Sequence, residues 1–139
     1  MRTLGRSSVL VLFLLLGCVP AVSQASAKPK IVGSLIKQLQ NGKDAQRVEA
    51  AMAIGKLGSS GSKALPTLLL LVEETGSAAV RQESALAIAN IGKRGVSLLK
   101  RALDDRKNTP RIIAALYTVP HLGDRAVPLL PLVHKLWLI

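Results

Sequence analysis

Apolar and small residues return at helical spacing through most of the chain, in blocks that close on an aliphatic residue and a glycine. Residues 48–58 read VEAAMAIGKLG and residues 82–92 read QESALAIANIG. Val48, Ala51, Met52 and residues 54–57 carry the pattern in the first block, and Val80, Ala85, Ile88 and Ile91 carry it in the second. That is the period of a helix rather than the alternation of a strand. Alignment on Leu57-Gly58, Ile91-Gly92 and Leu122-Gly123 brings Ala50, Ser84 and Ala114 into one column, Ala51, Ala85 and Ala115 into the next, and Met52, Leu86 and Leu116 into a third. The third copy, IIAALYTVPHLG, needs one extra residue, and an arginine precedes each block, at Arg47, Arg81 and Arg111. The glycine is expected to stop the helix, because it enters left-handed backbone conformations without a Cβ penalty.

A second set of blocks follows. ALPTLL, GVSLLK and AVPLLP begin at Ala64, Gly95 and Ala126, 31 residues apart in both steps. The glycine spacings differ, 34 and then 31, because the loop GSSGSK carries three extra residues, and a Ser/Gly loop is where a repeat tolerates insertion. Pro66 and Pro128 are placed near the first turn of these second helices, where a missing amide hydrogen costs little. Upstream, GSLIKQLQNGK (residues 33–43) matches VSLLKRALDDRK (residues 96–107) as the second half of another unit.

Each unit therefore reads as two helices, and units of this length stack side by side. Ala51, Ala85 and Ala115 provide small contact points where one first helix meets the next. Met52, Leu86 and Leu116 are expected to fill the space toward the paired helix. The predicted fold is an all-α solenoid of about three and a half stacked helix-turn-helix units, at residues 31–43, 44–76, 77–105 and 106–139.

The combination of an arginine, a small-residue helix, an aliphatic-Gly stop and an amphipathic second helix resembles HEAT repeats, an armadillo-like class. The nearest likeness is to the short subtype found in phycobilin lyases. DDRKNTPRIIAALYTVPHLGDRAVPLL (residues 104–130) carries most of that subtype's signature: acidic residues, the arginine, the double alanine and Leu-Gly-Asp. The resemblance covers roughly residues 31–139. It implies a fold and a protein-binding role far more than any chemistry, since such repeats serve many purposes.

The first residues belong to a different kind of segment. Arg2 and Arg6 precede an apolar run over residues 9–16 and then small residues, the layout of a secretory signal. The run is far shorter than the ~20 residues a spanning helix needs. Cleavage is expected after Ala27, giving a signal at residues 1–27 and a repeat domain at residues 28–139. The alternative is a lipoprotein signal at residues 1–17 with lipidation of Cys18, since Leu15-Leu16-Gly17-Cys18 resembles a lipobox. Both place the protein outside the cytoplasm, in the periplasm or cell envelope.

Cys18 is the single cysteine, so no intrachain disulfide and no Cys-based zinc site can form. The net charge is +11 over the chain; without Arg2 and Arg6, 17 basic residues stand against 8 acidic ones, or +9. A basic exported protein finds acidic surfaces readily. Phe13, Tyr117 and Trp137 are the only aromatics, which leaves almost nothing for bases to stack on and disfavours nucleic acid as a partner.

Catalytic groups do not converge in the sequence. His121 and His134 are 13 residues apart, without the His-Glu pairing of metal-binding HEAT members. Asp44 and Asp124 are placed to favour helix starts, and Glu49 and Glu83 recur one repeat apart. GSSGSK lacks the Gly-Lys-Ser/Thr ending of a phosphate loop and follows a helix where that motif needs a strand. No catalytic residue, cofactor or metal is assigned.

The second helices should line one continuous surface. Lys37, Gln38, Lys100, Arg101, His134 and Lys135 then form a basic strip, which Glu73 and Glu74 interrupt. The last residues, Leu136-Trp137-Leu138-Ile139, form an uncapped apolar end, where terminal repeats need a capping face. It reads as the cut end of a longer array or as an end that docks on a partner or on its own copy through the C-terminal helix, with Trp137 folded back onto the core as the third alternative. The sequence thus points to an exported, non-catalytic protein-interaction scaffold whose partner-binding residues are Lys37, Lys100, Arg101, His134, Lys135 and Trp137. A lyase-like or lyase-associated role is the alternative, and polyanion or nucleic-acid binding through the basic charge is a second one.

Overall fold

The computed structural model describes residues 30–138; the expected export signal and Cys18 lie outside them. Among the described residues every regular element is helical and no strand occurs. Helix α1 covers residues 30–41. It is followed by α2 (Asp44–Leu57), 3-10 turns over Gly58–Ala64, α3 (Leu65–Glu74), α4 (Ala78–Ile91) and α5 (Lys93–Asp104). The chain continues through α6 (Thr109–Thr118), 3-10 turns over Val119–Leu129, and α7 (Leu130–Trp137). No described helix is long and apolar enough to cross a membrane.

Glycine ends the helices as the repeated aliphatic-Gly pairs predict. Gly58, Gly92 and Gly123 have φ of +56°, +86° and +57°, and no other described residue has a positive φ. Their ψ lies between −134° and −131°, so the stop is not the left-handed helical cap but the mirror image of an extended turn position, a conformation that L side chains disfavour. Polar caps start α4 and α6. The Ser77 hydroxyl accepts from the Val80 amide at the start of α4, and the Asn108 side chain accepts from the Arg111 amide at the start of α6.

Small residues let the first helices approach. α2 and α4 form the most extensive helix pair, and a β-carbon on Gly55 would lie only 3.4 Å from the Ala87 α-carbon. Ala51, Ala85 and Ala115 are all buried, as the stacking alanines require. α4 lies at the centre, packed against α2, α3 and α5 and against both 3-10 segments.

Three expectations are corrected by the packing. Met52 is 45% exposed, and Leu86 and Leu116 are only half-buried. The large core side chains lie two positions further on, at Ile54 and Ile88. In the third copy that place is taken by Thr118, whose hydroxyl is satisfied by donating to the Ala114 carbonyl at 2.9 Å. A strict 31-residue step carries buried Leu68 to Leu99 and then to Leu130, yet Leu130 is 52% exposed and Leu129 is buried instead. The chain slips by one residue because the tighter winding of the turns before α7 moves the core face. For the same reason Pro128 falls inside those turns, and Pro131 takes the first-turn position of α7.

Candidate interaction groove

α3 and α5 are the second helices of neighbouring units, and between them runs an open groove. Its larger part, about 480 Å³, has Pro66 and Leu69 of α3 facing Leu98 and Ala102 of α5, with Glu73, Asp105 and Arg111 at one end. A second part, about 340 Å³, shares Pro66, Leu98 and Arg101 with the first and extends to Ser62, Lys63, Arg94 and Ser97. The two parts form one channel that is apolar in the middle and charged at both ends.

The cationic end is built where the turns before α3 meet α5. Arg94 stands in the first turn of α5, and its Nη1 donates to the Ser62 hydroxyl at 2.8 Å, which spans the two units. Lys63, Arg94 and Arg101 are exposed, and none of them is paired with a carboxylate among the described residues. The other end holds the ion pair of Arg111 Nε with Glu73 Oε2 at 3.7 Å. Neither atom has a hydrogen-bond partner, so charge alone joins them. The Glu73 side chain is 12% exposed and that of Arg111 42%. Glu73 is therefore drawn inward and does not interrupt the surface strip as an exposed charge; Glu74 is exposed as expected.

Beyond Glu73 lies a further hollow of about 440 Å³ that includes Arg81, Pro110, Ile113 and Tyr117. Arg81 Nη2 donates to the Thr75 carbonyl at 2.7 Å, and its guanidinium carbon stands 6.0 Å from the Tyr117 ring centroid. The Tyr117 ring also meets His121 at 5.8 Å. The three repeated arginines therefore serve as ties: Arg47 holds the Gln40 carbonyl, Arg81 that of Thr75, and Arg111 the Glu73 carboxylate.

Of the residues expected to bind a partner, Arg101 borders the channel. Lys37 is exposed on α1, Lys100 on α5, and His134 and Lys135 in the last turn of α7, where cations also suit the helix dipole. Trp137 is 85% exposed and Leu138 74%; α7 buries no residue fully. Sequence reasoning missed Lys63 and Arg94. A signal was present: Lys63, Arg94 and Arg125 stand directly before Ala64, Gly95 and Ala126, one column of cations at the repeat period. Arg125 Nη1 reaches back to the Ala89 carbonyl at 2.8 Å, much as Arg94 reaches Ser62.

Among the described residues no group of three His, Cys, Asp or Glu side chains is gathered to hold a metal ion. Comparison with curated proteins and with solved structures gives no match. The family model described as HEAT repeats matches residues 32–119, a span that includes the glycine stops at Gly58 and Gly92, the alanine contacts and both helices that wall the channel. By that match and by its stacked helix pairs, the chain belongs to the HEAT-repeat family.

Proposed function

We propose that this chain is an exported scaffold, without a reaction of its own, that holds a partner protein at the cell envelope through the face made by its second helices. HEAT repeats generally mediate contacts between proteins, and the observation that carries the reading is the open α3–α5 channel, with an apolar middle and unpaired cations at its mouth. Apolar area supplies affinity at such a surface, and the charges around it supply selectivity. Export is supported by Arg2, Arg6 and the apolar run over residues 9–16. Self-association through α7 belongs to the same reading and is supported by the exposure of Trp137 and Leu138.

A photo-crosslinking amino acid tests the face. Leu70 is exposed beside the channel, and Met52 is exposed on α2. In cells the label at Leu70 should trap a defined protein that the label at Met52 does not. Equal capture at both positions, or none at either, would remove the assignment. Mass spectrometry of the mature N-terminus should find Lys28 or a lipidated Cys18; an intact Met1 would remove export.

A further inference from the structure

The mouth of the channel breaks a local rule. Helix starts favour acidic side chains, because the first amides carry partial positive charge. α5 has no acidic residue in its first turn and holds Lys93 and Arg94 there instead, while Lys63 lies in the last of the 3-10 turns that lead into α3. Arg94 is fixed by a neutral acceptor, the Ser62 hydroxyl, which leaves its charge uncompensated. Cations placed against the α5 dipole cost stability, and local rules are broken mostly at functional positions. Lys63, Arg94 and Arg101 surround one hollow, with the hydroxyls of Ser62 and Ser97 beside them.

We infer that this hollow receives a carboxylate, and that the occupant of the whole channel is a linear segment of a partner protein with an acidic residue about two positions from an aliphatic one. The inference rests on the scaffold reading and names its ligand chemistry. The spacing follows from the walls. From Arg94, at the cationic hollow, to Leu98, on the apolar floor, α5 rises about 6 Å, which an extended chain covers in about two residues. The carboxylate sits among Lys63, Arg94 and Arg101, and the aliphatic side chain lies over Leu69, Leu98 and Ala102. At the far end Asp105, which is exposed, faces the occupant beside the Arg111–Glu73 ion pair. A lipid tail would lie against that carboxylate without satisfying it, and a polyanion running through the channel would meet no free cation there, since Arg111 is already paired. A main-chain amide of a peptide donates to such a group.

The test uses the full chain and fluorescent octapeptides. GEEALLGG should bind at least about 10-fold more tightly than GKKALLGG or GEEASSGG, and its affinity should fall as salt rises. Arg94→Glu and Arg101→Glu should each weaken it about 10-fold, whereas Lys56→Glu, exposed on α2, should change it less than about 2-fold. Arg94→Glu should also keep or raise the Tm, because it places an acid at a helix start. Gain of stability with loss of binding separates a ligand role from a structural one, and Arg101→Glu repeats the binding test on an exposed residue. Equal affinity for the three peptides, or charge reversals without effect, would overturn the inference. So would a response of those reversals seen only on heparin or on phosphatidylserine vesicles. A partner still trapped at Leu70 after such a failure would leave the scaffold reading standing; an absence of any trapped partner would remove that reading too.

Discussion

Gly95 presses its α-carbon onto the carbonyl oxygen of Ile88, so closely that a β-carbon has no room. One unit earlier Gly61 does the same to Ile54, where a β-carbon would stand 2.9 Å from the carbonyl oxygen. The obstacle is backbone, which cannot swing aside. Gly95→Ala should therefore destabilise the fold by about 2–3 kcal/mol, read as a Tm lowered by roughly 10 °C or more. Gly76→Ala, with open space around it, should stay within about 0.5 kcal/mol.

The displaced core positions make a paired prediction. Ile54 is fully buried while Met52 is half out of the core. Ile54→Ala should cost about 3 kcal/mol in urea unfolding, and Met52→Ala less than about 1 kcal/mol. The reverse ranking would restore Met52, Leu86 and Leu116 as the core column.

Ser84 is completely buried in α4, and its hydroxyl has no hydrogen-bond partner. Its column holds alanine in the other two copies, Ala50 and Ala114. Removing an unsatisfied buried hydroxyl at a site already shaped for alanine should leave stability unchanged or raise it by about 1 kcal/mol. A lower Tm for Ser84→Ala would mean that the hydroxyl has a partner.

The Arg111–Glu73 pair is asymmetric. Arg111→Met leaves a carboxylate that is 12% exposed without its cation, whereas Glu73→Gln leaves a guanidinium that is 42% exposed and able to turn to water. The first should cost about 2 kcal/mol or more and the second less than about 1 kcal/mol. In a double-mutant cycle, adding Glu73→Gln to Arg111→Met should recover most of the loss. Equal single effects would show that the pair is not what determines stability there.

Self-association can be read by sedimentation. If two copies meet through α7, dimerisation should persist as salt is raised and should disappear in Trp137→Ser, with helical content unchanged. A monomer at all concentrations, or a dimer that Trp137→Ser leaves intact, excludes this pairing.

The fold was readable in the sequence to the extent that backbone rules govern it. Three aliphatic-Gly pairs marked three helix ends because only glycine suits a positive φ, and recurring alanines marked the faces that touch. Side-chain assignments were less legible. The Met52 column reads as core because it is the bulky one, but burial follows which face of each helix meets its neighbours, which puts Ile54 and Ile88 inside, and that face is not written in either helix alone. Thr118 was hidden as a core residue because its hydroxyl reads as polar until the Ala114 carbonyl is seen to accept from it. At the channel, Arg101 is marked by its place on a second helix, while nothing in the helical pattern singles out Lys63 or Arg94. Only the approach of the Ser62 turn to α5 shows that they converge. Glu73 reads as a surface charge in the sequence because its partner, Arg111, lies 38 residues away.

Arg47, Arg81 and Arg125 all donate to main-chain carbonyls, those of Gln40, Thr75 and Ala89. Every residue type presents that acceptor, so these joints make no demand on the side chain at the position they grip. A helix pair held in this way can be duplicated, deleted or exchanged without a new fastening, because the joint survives any change of side chain at the position it grips.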